Sequence, residues 1–290
     1  MNRKILATIT ILSFLSFLVL PKKAEAVLSD SLVAYWSLEE ESGTRLDQLT
    51  GCGGGGCDLT DNNTVLFAAG KQGNAADFED TADEYLSRAD DGVGSTLDIT
   101  GDISFSAWVQ VENAPSSTTM RLITKYGGAG AESYMFEIKD TGGTKSMQLV
   151  LYDTGERVGN INGDLGTGTL RHAVVTFDNT ANLAEYWIDG VSQGTVGITV
   201  GSLQDGGADF DIGGKHADTT KTWDGLVDEV GLWTKVLSDT EISDLYCNGD
   251  GLSYSDITGA GCVAAPTGRG HRIIKAEPIK LEQSVEFNLA

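Results

Sequence analysis

The chain has 290 residues, 40% of them hydrophobic, with 37 glycines against 4 prolines and a formal net charge of −22. That acidity repels phosphate backbones and anionic lipid, which argues against nucleic-acid and membrane-surface partners, while much of it reads as a solvated face. Abundant glycine with few helical periods points to an all-β chain long enough for one sandwich or barrel with extra ends.

At the start, Arg3 and Lys4 precede the apolar run from Ile5 to Leu20, and Pro21-Lys22-Lys23 leads to Ala24-Glu25-Ala26. The run is short for a bilayer span and the exit is small-x-small, so residues 1–26 read as a cleaved secretory signal rather than an anchor. Removing them takes away four basic residues and one acid, deepening the balance from −22 to −25. No cysteine follows the run to carry a lipid, and no later stretch is apolar enough to span a membrane.

The next elements alternate with a period of two, the signature of strands. Leu32, Ala34, Trp36 and Leu38 share one parity in SLVAYWSLEEESGT, which turns away at Glu39-Glu40-Glu41-Ser42-Gly43. Cys52 and Cys57 flank four glycines, and this loop lacks the Lys-Ser/Thr and helix that a phosphate cradle needs. Asn74, Ala76 and Phe78 predict a short strand after Gly70-Lys-Gln-Gly73, and Thr81–Ser87 a further one. Ile103, Phe105, Ala107, Val109 and Val111 line one face of a long core strand, with Trp108 on the other face under a covering layer. Strands ending at Gly127-Gly128, at Asp140-Thr-Gly-Gly143 and at Asp153-Thr-Gly155 predict antiparallel hairpins, and Asp189-Gly190 turns another. Leu226 to Trp233 reads as a strand covered on both faces, with Asp228 pointing the same way as the apolar Leu226, Val230 and Leu232. Ser238-Asp-Thr-Glu241 then forms a capping box that opens a short helix, closed near Cys247-Asn248-Gly249. The last residues, with Ile279, Leu281, Val285, Phe287 and Leu289 on one parity, predict a two-faced strand able to pair with a neighbour or its own domain, or a tail without order.

Taken together, GLVDEVGLWTKVLSDTEISDLY, the opening LVAYW, GKQGNAADFED, DISFSAWVQV, RHAVVTFD with LAEYWIDG, and DFDIGG occur in the order that resembles LamG-like jellyroll domains of the concanavalin A-like lectin superfamily. The resemblance runs from Ser31 to about Tyr246 and implies an antiparallel β-sandwich of jelly-roll type with one short C-terminal helix. The organisation it suggests is a domain over residues 27–250 and a tail over 251–290. His172 falls where that family has a structural histidine.

Four cysteines in a secreted chain predict disulfides. Cys52 with Cys57 would close a tight loop and Cys247 with Cys262 would tie the chain after the helix back to the domain, but three pairings satisfy the count. Zinc is disfavoured because no CxxC spacing is present.

Catalysis finds little support. The carboxylate pattern E-x-D-x-x-E of sandwich glycosidases is missing; Glu137 and Asp140 fall on opposite strand faces, and Glu185 with Asp189 lacks a third acid. No serine stands in a nucleophile elbow, and His216 and His271 lie in a loop and in the tail. The family resemblance implies a structural calcium ion near the domain rim, with Asp228, Glu39, Asp80 and Asp83 as its oxygen ligands. Asp228 has an alternative, accepting backbone N–H groups. For stacking on sugar rings the candidates are the loop-borne Tyr126, Tyr152 and Trp223, although Trp223 also suits a core position beside Trp233. These readings combine into a secreted, non-catalytic module for an extracellular glycan or glycoprotein, with calcium; an adhesive module assembling through its C-terminal strand is the alternative, and a glycosidase comes third.

Overall fold

The structure is a computed structural model and describes residues 27–262 apart from 53–55, 93, 114–117, 129, 161–162, 216–219 and 260. The expected signal segment and the C-terminal strand expected over 279–289 lie outside the described residues. In chain order the strands are β1 (Leu32–Trp36), β2 (Thr60–Asn62), β3 (Leu66–Ala69), β4 (Asn74–Phe78), β5 (Tyr85–Arg88), β6 (Ile103–Val109), β7 (Thr119–Tyr126) and β8 (Glu132–Thr141). They continue as β9 (Thr144–Tyr152), β10 (Glu156–Asn160), β11 (Arg171–Asp178), β12 (Leu183–Ile188), β13 (Val191–Gly197), β14 (Phe210–Ile212) and β15 (Gly225–Trp233), followed by helices α1 (Asp239–Tyr246) and α2 (Tyr254–Ile257).

These strands form two antiparallel sheets packed face to face as a jelly-roll sandwich. One has eight strands in the order β13-β12-β11-β6-β15-β4-β3, with β1 also on β15; the other has seven, β10-β9-β8-β7-β14-β5-β2. The nine-residue β15 is buried at every position, as its unbroken pattern requires. Two short strands share its second edge: β4 pairs with Gly225–Val227 and β1 with Val230–Trp233. The predicted turn at Asp189-Gly190 joins β12 to β13, and both residues adopt positive φ, 52° and 72°, as a two-residue hairpin that follows strand twist demands.

Between the sheets lies the main core, into which Ile103, Phe105, Ala107, Val109 and Val111 all point. Trp36 crosses it, fully buried, stacking on Phe210 of the opposite sheet at 5.1 Å and donating from Nε1 to the Cys57 carbonyl at 2.7 Å. Tyr186 makes a second tie, its hydroxyl donating to the Gly159 carbonyl at 2.6 Å and accepting from the Leu149 N–H at 3.0 Å.

On the far side of the eight-stranded sheet a second cluster gathers Val174, Trp187 and Trp233 under Ile242 and Leu245 of α1. Ser238 accepts the Glu241 N–H and Glu241 returns the contact, so the capping box forms as read from the sequence. Trp108 is covered here by Tyr246, the rings 5.8 Å apart. Leu252 and Ile257 join the same cluster, so packed chain extends beyond residue 250. The cysteines pair as Cys52–Cys57 and Cys247–Cys262, the second fastening this segment to the end of α1. Paired cysteines suit an oxidising compartment. Among the described residues no helix is long and apolar enough to cross a membrane.

Because Trp36 fills both halves of the core, Trp36→Ala is expected to cost about 3–5 kcal/mol. Urea unfolding checks this: the midpoint falls while the slope stays unchanged.

Candidate functional site

Two regions concentrate polar groups. The first is a corner built on Asp228 and Glu229, where β15 bulges and its pairing with β6 slips between Asp228 and Gly231. Asp228 is fully buried, and its Oδ2 accepts the N–H groups of Lys71 at 2.6 Å and Gln72 at 3.1 Å. Gly70 is required at this approach, since a Cβ there would stand 2.6 Å from the same carboxylate oxygen. Glu39 holds the other end of the loop, accepting the Asn74 N–H at 2.9 Å. Glu229, at φ 50°, accepts the hydroxyl of Tyr35, and Gln72 donates to the Asp250 carbonyl at 2.8 Å. Burial pushes the carboxyl of Asp228 up to about 7 and that of Glu229 up to about 8, with backbone or tyrosine donors opposing and neighbouring acids adding.

The expected calcium ligands are only partly brought together. Glu39 and Asp228 grip the same loop, but Asp80 lies in the 3₁₀ turn after β4 and Asp83 caps that turn at φ 56°. The five residues of β4 separate the pairs by about 15 Å of extended chain. Among the described residues no three His, Cys, Asp or Glu side chains are placed to hold a metal, so the four do not form one cation site. The N–H groups aimed at Asp228 match the alternative read for it. Near Asp80, Glu84 accepts the Glu79 N–H at 2.8 Å and is pushed up to about 7 by burial. His172 is buried, pairs with Ser106 Oγ at 2.8 Å and is pushed down to about 4 by desolvation, as befits a core histidine.

The second region is the outer face of the seven-stranded sheet. Among the described residues both α-helices cluster on the other sheet, while on this face Met135, Val150 and Tyr152 form a small cluster that is itself buried. Tyr126 and Tyr152 meet there, ring centroids 5.4 Å apart. Trp223 does not join them: it is fully buried in the main core, its backbone N–H donating to the Gly213 carbonyl at 2.7 Å, so it presents no ring to a ligand. Nor do the tyrosines make a flat platform. Tyr152 is only 6% exposed and donates its hydroxyl to Glu156 at 3.0 Å, while Lys215 sits 4.2 Å over the Tyr126 ring. They stand between two hollows. One, of about 440 Å³, is lined by Tyr126, Ala131, Ala208, Asp209, Asp211 and Lys215. The other, of about 300 Å³, is lined by Glu132, Tyr152, Asp153, Glu156 and Gln204.

Further along the face, Thr124, Met135 and Val150 form one row, and Arg121, Glu137 and Gln148 the next. Gln148 Nε2 donates to Glu137 Oε1 at 2.9 Å, whereas Glu137 Oε2 and Gln148 Oε1 have no hydrogen-bond partner. The sequence reading passed over Arg121 and Gln148 and weighed Glu137 only as a catalytic acid. Their signal was a single polar side chain between apolar neighbours, Phe136-Glu-Ile138 and Met147-Gln-Leu149.

The acidic corner sets a pH dependence. Carboxyls held above their unfolded values favour the folded chain most when protonated, so their contribution is complete below about pH 4 and is lost as pH rises through 7 to 8. Asp228→Asn is therefore expected to flatten the fall in melting temperature between pH 5 and 8, read by calorimetry at constant ionic strength.

A family model described as the concanavalin A-like lectin/glucanases superfamily matches residues 80–243. No curated protein matches the chain in sequence. Among solved structures, domain 4 of AbnA, a GH43 extracellular arabinanase from Geobacillus stearothermophilus in complex with arabinotriose, is 21% identical with a TM-score of 0.56, over 74% of this chain and 97% of that one. The binding domain of Paraclostridial Mosquitocidal Protein 1 is 14% identical with a TM-score of 0.58, over 77% of this chain and 53% of that one. Trypanosoma rangeli sialidase in complex with sialic acid is 17% identical with a TM-score of 0.55, over 78% of this chain and 34% of that one. At these identities the likeness is one of fold. With a match over more than half its length, and both sheets of the sandwich in place, the chain belongs to the concanavalin A-like lectin/glucanases superfamily.

Proposed function

We propose that this protein is a secreted, non-catalytic module that binds an extracellular glycan on the outer side of its seven-stranded sheet, at the hollow beside Tyr126. The observation that carries the reading is the hollow itself, about 440 Å³ with an aromatic wall beside Asp209, Asp211 and Lys215, on the outer side of the seven-stranded sheet. A sugar offers C–H edges to Tyr126 and hydroxyls to the polar groups, the pairing this wall suits. The shared fold with an arabinanase domain solved with arabinotriose supports the ligand class.

A binding role fits the placement of the acids better than hydrolysis does. A glycosidase needs a protonated carboxyl facing its cleft, opposite a second carboxylate. The carboxyls held near neutral here, Glu84, Asp228 and Glu229, line neither hollow and are engaged by backbone N–H groups or by Tyr35. The sequence-level signal segment and the two disulfides support export.

The test is calorimetric titration with arabinotriose and a panel of neutral oligosaccharides. Tyr126→Ala, and Ala131→Trp filling the hollow, are each expected to weaken binding at least about tenfold, 1.4 kcal/mol, while a chelator leaves it unchanged. Binding by both variants at wild-type affinity, or no saccharide binding at all, would remove the reading.

A further inference from the structure

We infer that the C-terminal segment of this chain docks on its own domain, residues 279–289 pairing with the outer edge of β3 and the basic stretch before them lying on an acidic patch beside that strand. β3 ends the eight-stranded sheet and pairs only with β4 among the described residues. The β3–β4 hairpin closes where the Gly70 N–H donates to the Gly73 carbonyl at 3.0 Å. Antiparallel alternation from that pair turns the backbone N–H and C=O groups of Phe67 and Ala69 away from β4. The side chains are bare as well: Leu66 is 54% exposed and Phe67 42%, on opposite faces of the strand. An edge that joins open backbone groups to apolar side chains pairs between copies unless something covers it.

The acidic patch lies on the outer side of the same sheet. Ala76, Phe78, Val111 and Val227 point into the main core, so Asp77, Glu79, Glu112, Asp224 and Leu226, next to them in sequence or one strand position further, point outward. Register sets Leu66, Asp77 and Leu226 in one row. Glu112 and Asp224 stand in the next, the Glu112 N–H donating to the Asp224 carbonyl at 3.0 Å. Glu79 and Glu112 are exposed. Desolvation, and then the neighbouring acids, hold the carboxyls of Asp77, Glu79 and Glu112 above their ordinary values. Among the described residues none of the four acids pairs with a basic side chain.

The chain itself supplies the complement. Residues 27–262 carry 12 basic and 38 acidic side chains, a net −26, whereas Arg269 to Lys280 carries four basic side chains and one acid, a net +3. Ile279, Leu281, Val285, Phe287 and Leu289 then share one parity, an apolar row to lay against β3, and Lys280 falls on the other. The Cys247–Cys262 disulfide fixes where the segment leaves the domain, and the Asp250 carbonyl nearby accepts from Gln72 of the β3–β4 loop at 2.8 Å. Departure is thus beside the hairpin to be joined. The linking residues 263–278 reach about 50 Å when extended and β3 is about 13 Å long, so the segment reaches its own edge strand without a second copy.

Hydrogen exchange on residues 27–290 reads the edge directly. The Phe67 and Ala69 amides are expected to exchange at least about tenfold more slowly than in Leu281→Pro/Val285→Pro, where the segment loses two donors. Glu79→Lys/Glu112→Lys is expected to release the same amides, and melting curves check that both variants keep the folded domain. Carbodiimide coupling, which joins a lysine to a carboxylate in contact, is expected to link Lys275 or Lys280 to Asp77, Glu79 or Glu112. In a mixture of isotope-labelled and unlabelled chains, each linked pair of peptides should come from one chain. Fast exchange at Phe67 and Ala69 in the unsubstituted chain, exchange that either folded variant leaves unchanged, or no link from the segment to the patch would overturn the inference. Links of mixed isotope would overturn it in favour of a second copy's segment on the same edge.

Discussion

A carboxylate buried in the central strand is the constraint around which the sandwich closes. Asp228 has no solvent access, and a buried polar group without partners costs several kcal/mol, more when charged. The fold meets that demand by wrapping the β3–β4 loop so that two backbone N–H groups reach one oxygen. The same loop is held by Glu39 after β1 and touches Asp250 beyond α1. One buried oxygen thus helps fix a hairpin on which segments from both ends of the domain converge. The partner in this corner, Glu229, takes a left-handed backbone conformation, and the pairing of β15 with β6 slips at the same place. Two acids side by side in a core strand are accommodated by letting the strand bulge and by lending one of them the hydroxyl of Tyr35.

The two outer sides of the sandwich differ in what they carry. The outward row of the eight-stranded sheet is aromatic, with Trp187 and Trp233, and is sealed by α1 and by the segment that Cys247–Cys262 fastens. The outward rows of the seven-stranded sheet mix Tyr126, Met135 and Val150 with Arg121, Glu137 and Gln148. Apart from the half-buried Tyr126 these side chains are themselves buried, so the accessible part of this side is at its hollows, where aromatic surface lies beside directional polar atoms. Its two hollows lie on either side of a tyrosine pair whose rings support one another more than they stand out.

The order of strands, the capping box and the Asp189-Gly190 turn were legible because each depends on residues close in sequence: a period of two, a four-residue box, two positive φ angles. So was the covering of Trp108, whose parity opposes that of the core residues around it. Cysteine pairing was not, since three arrangements satisfy four cysteines and only the folded path brings Cys247 to Cys262. Trp223 illustrates the limit for single residues. A loop tryptophan can read as a platform or a plug; the plug suits the sequence better, and the packing of the ring in the main core bears it out.

The sequence by itself determined an all-β chain, its β15 with a carboxylate needing a partner, and the terminal helix, because alternation and capping are local physics; the sandwich was what the family resemblance implied. Tertiary structure decided which partner Asp228 takes, that Asp80 and Asp83 stand a strand's length away from it, and which sheet face the helices cover. It also aligned Arg121, Glu137 and Gln148, from three strands, into one row. Those outcomes depend on register and on what packs above each sheet, and both are properties of chain segments far apart in sequence that meet only when the sandwich closes.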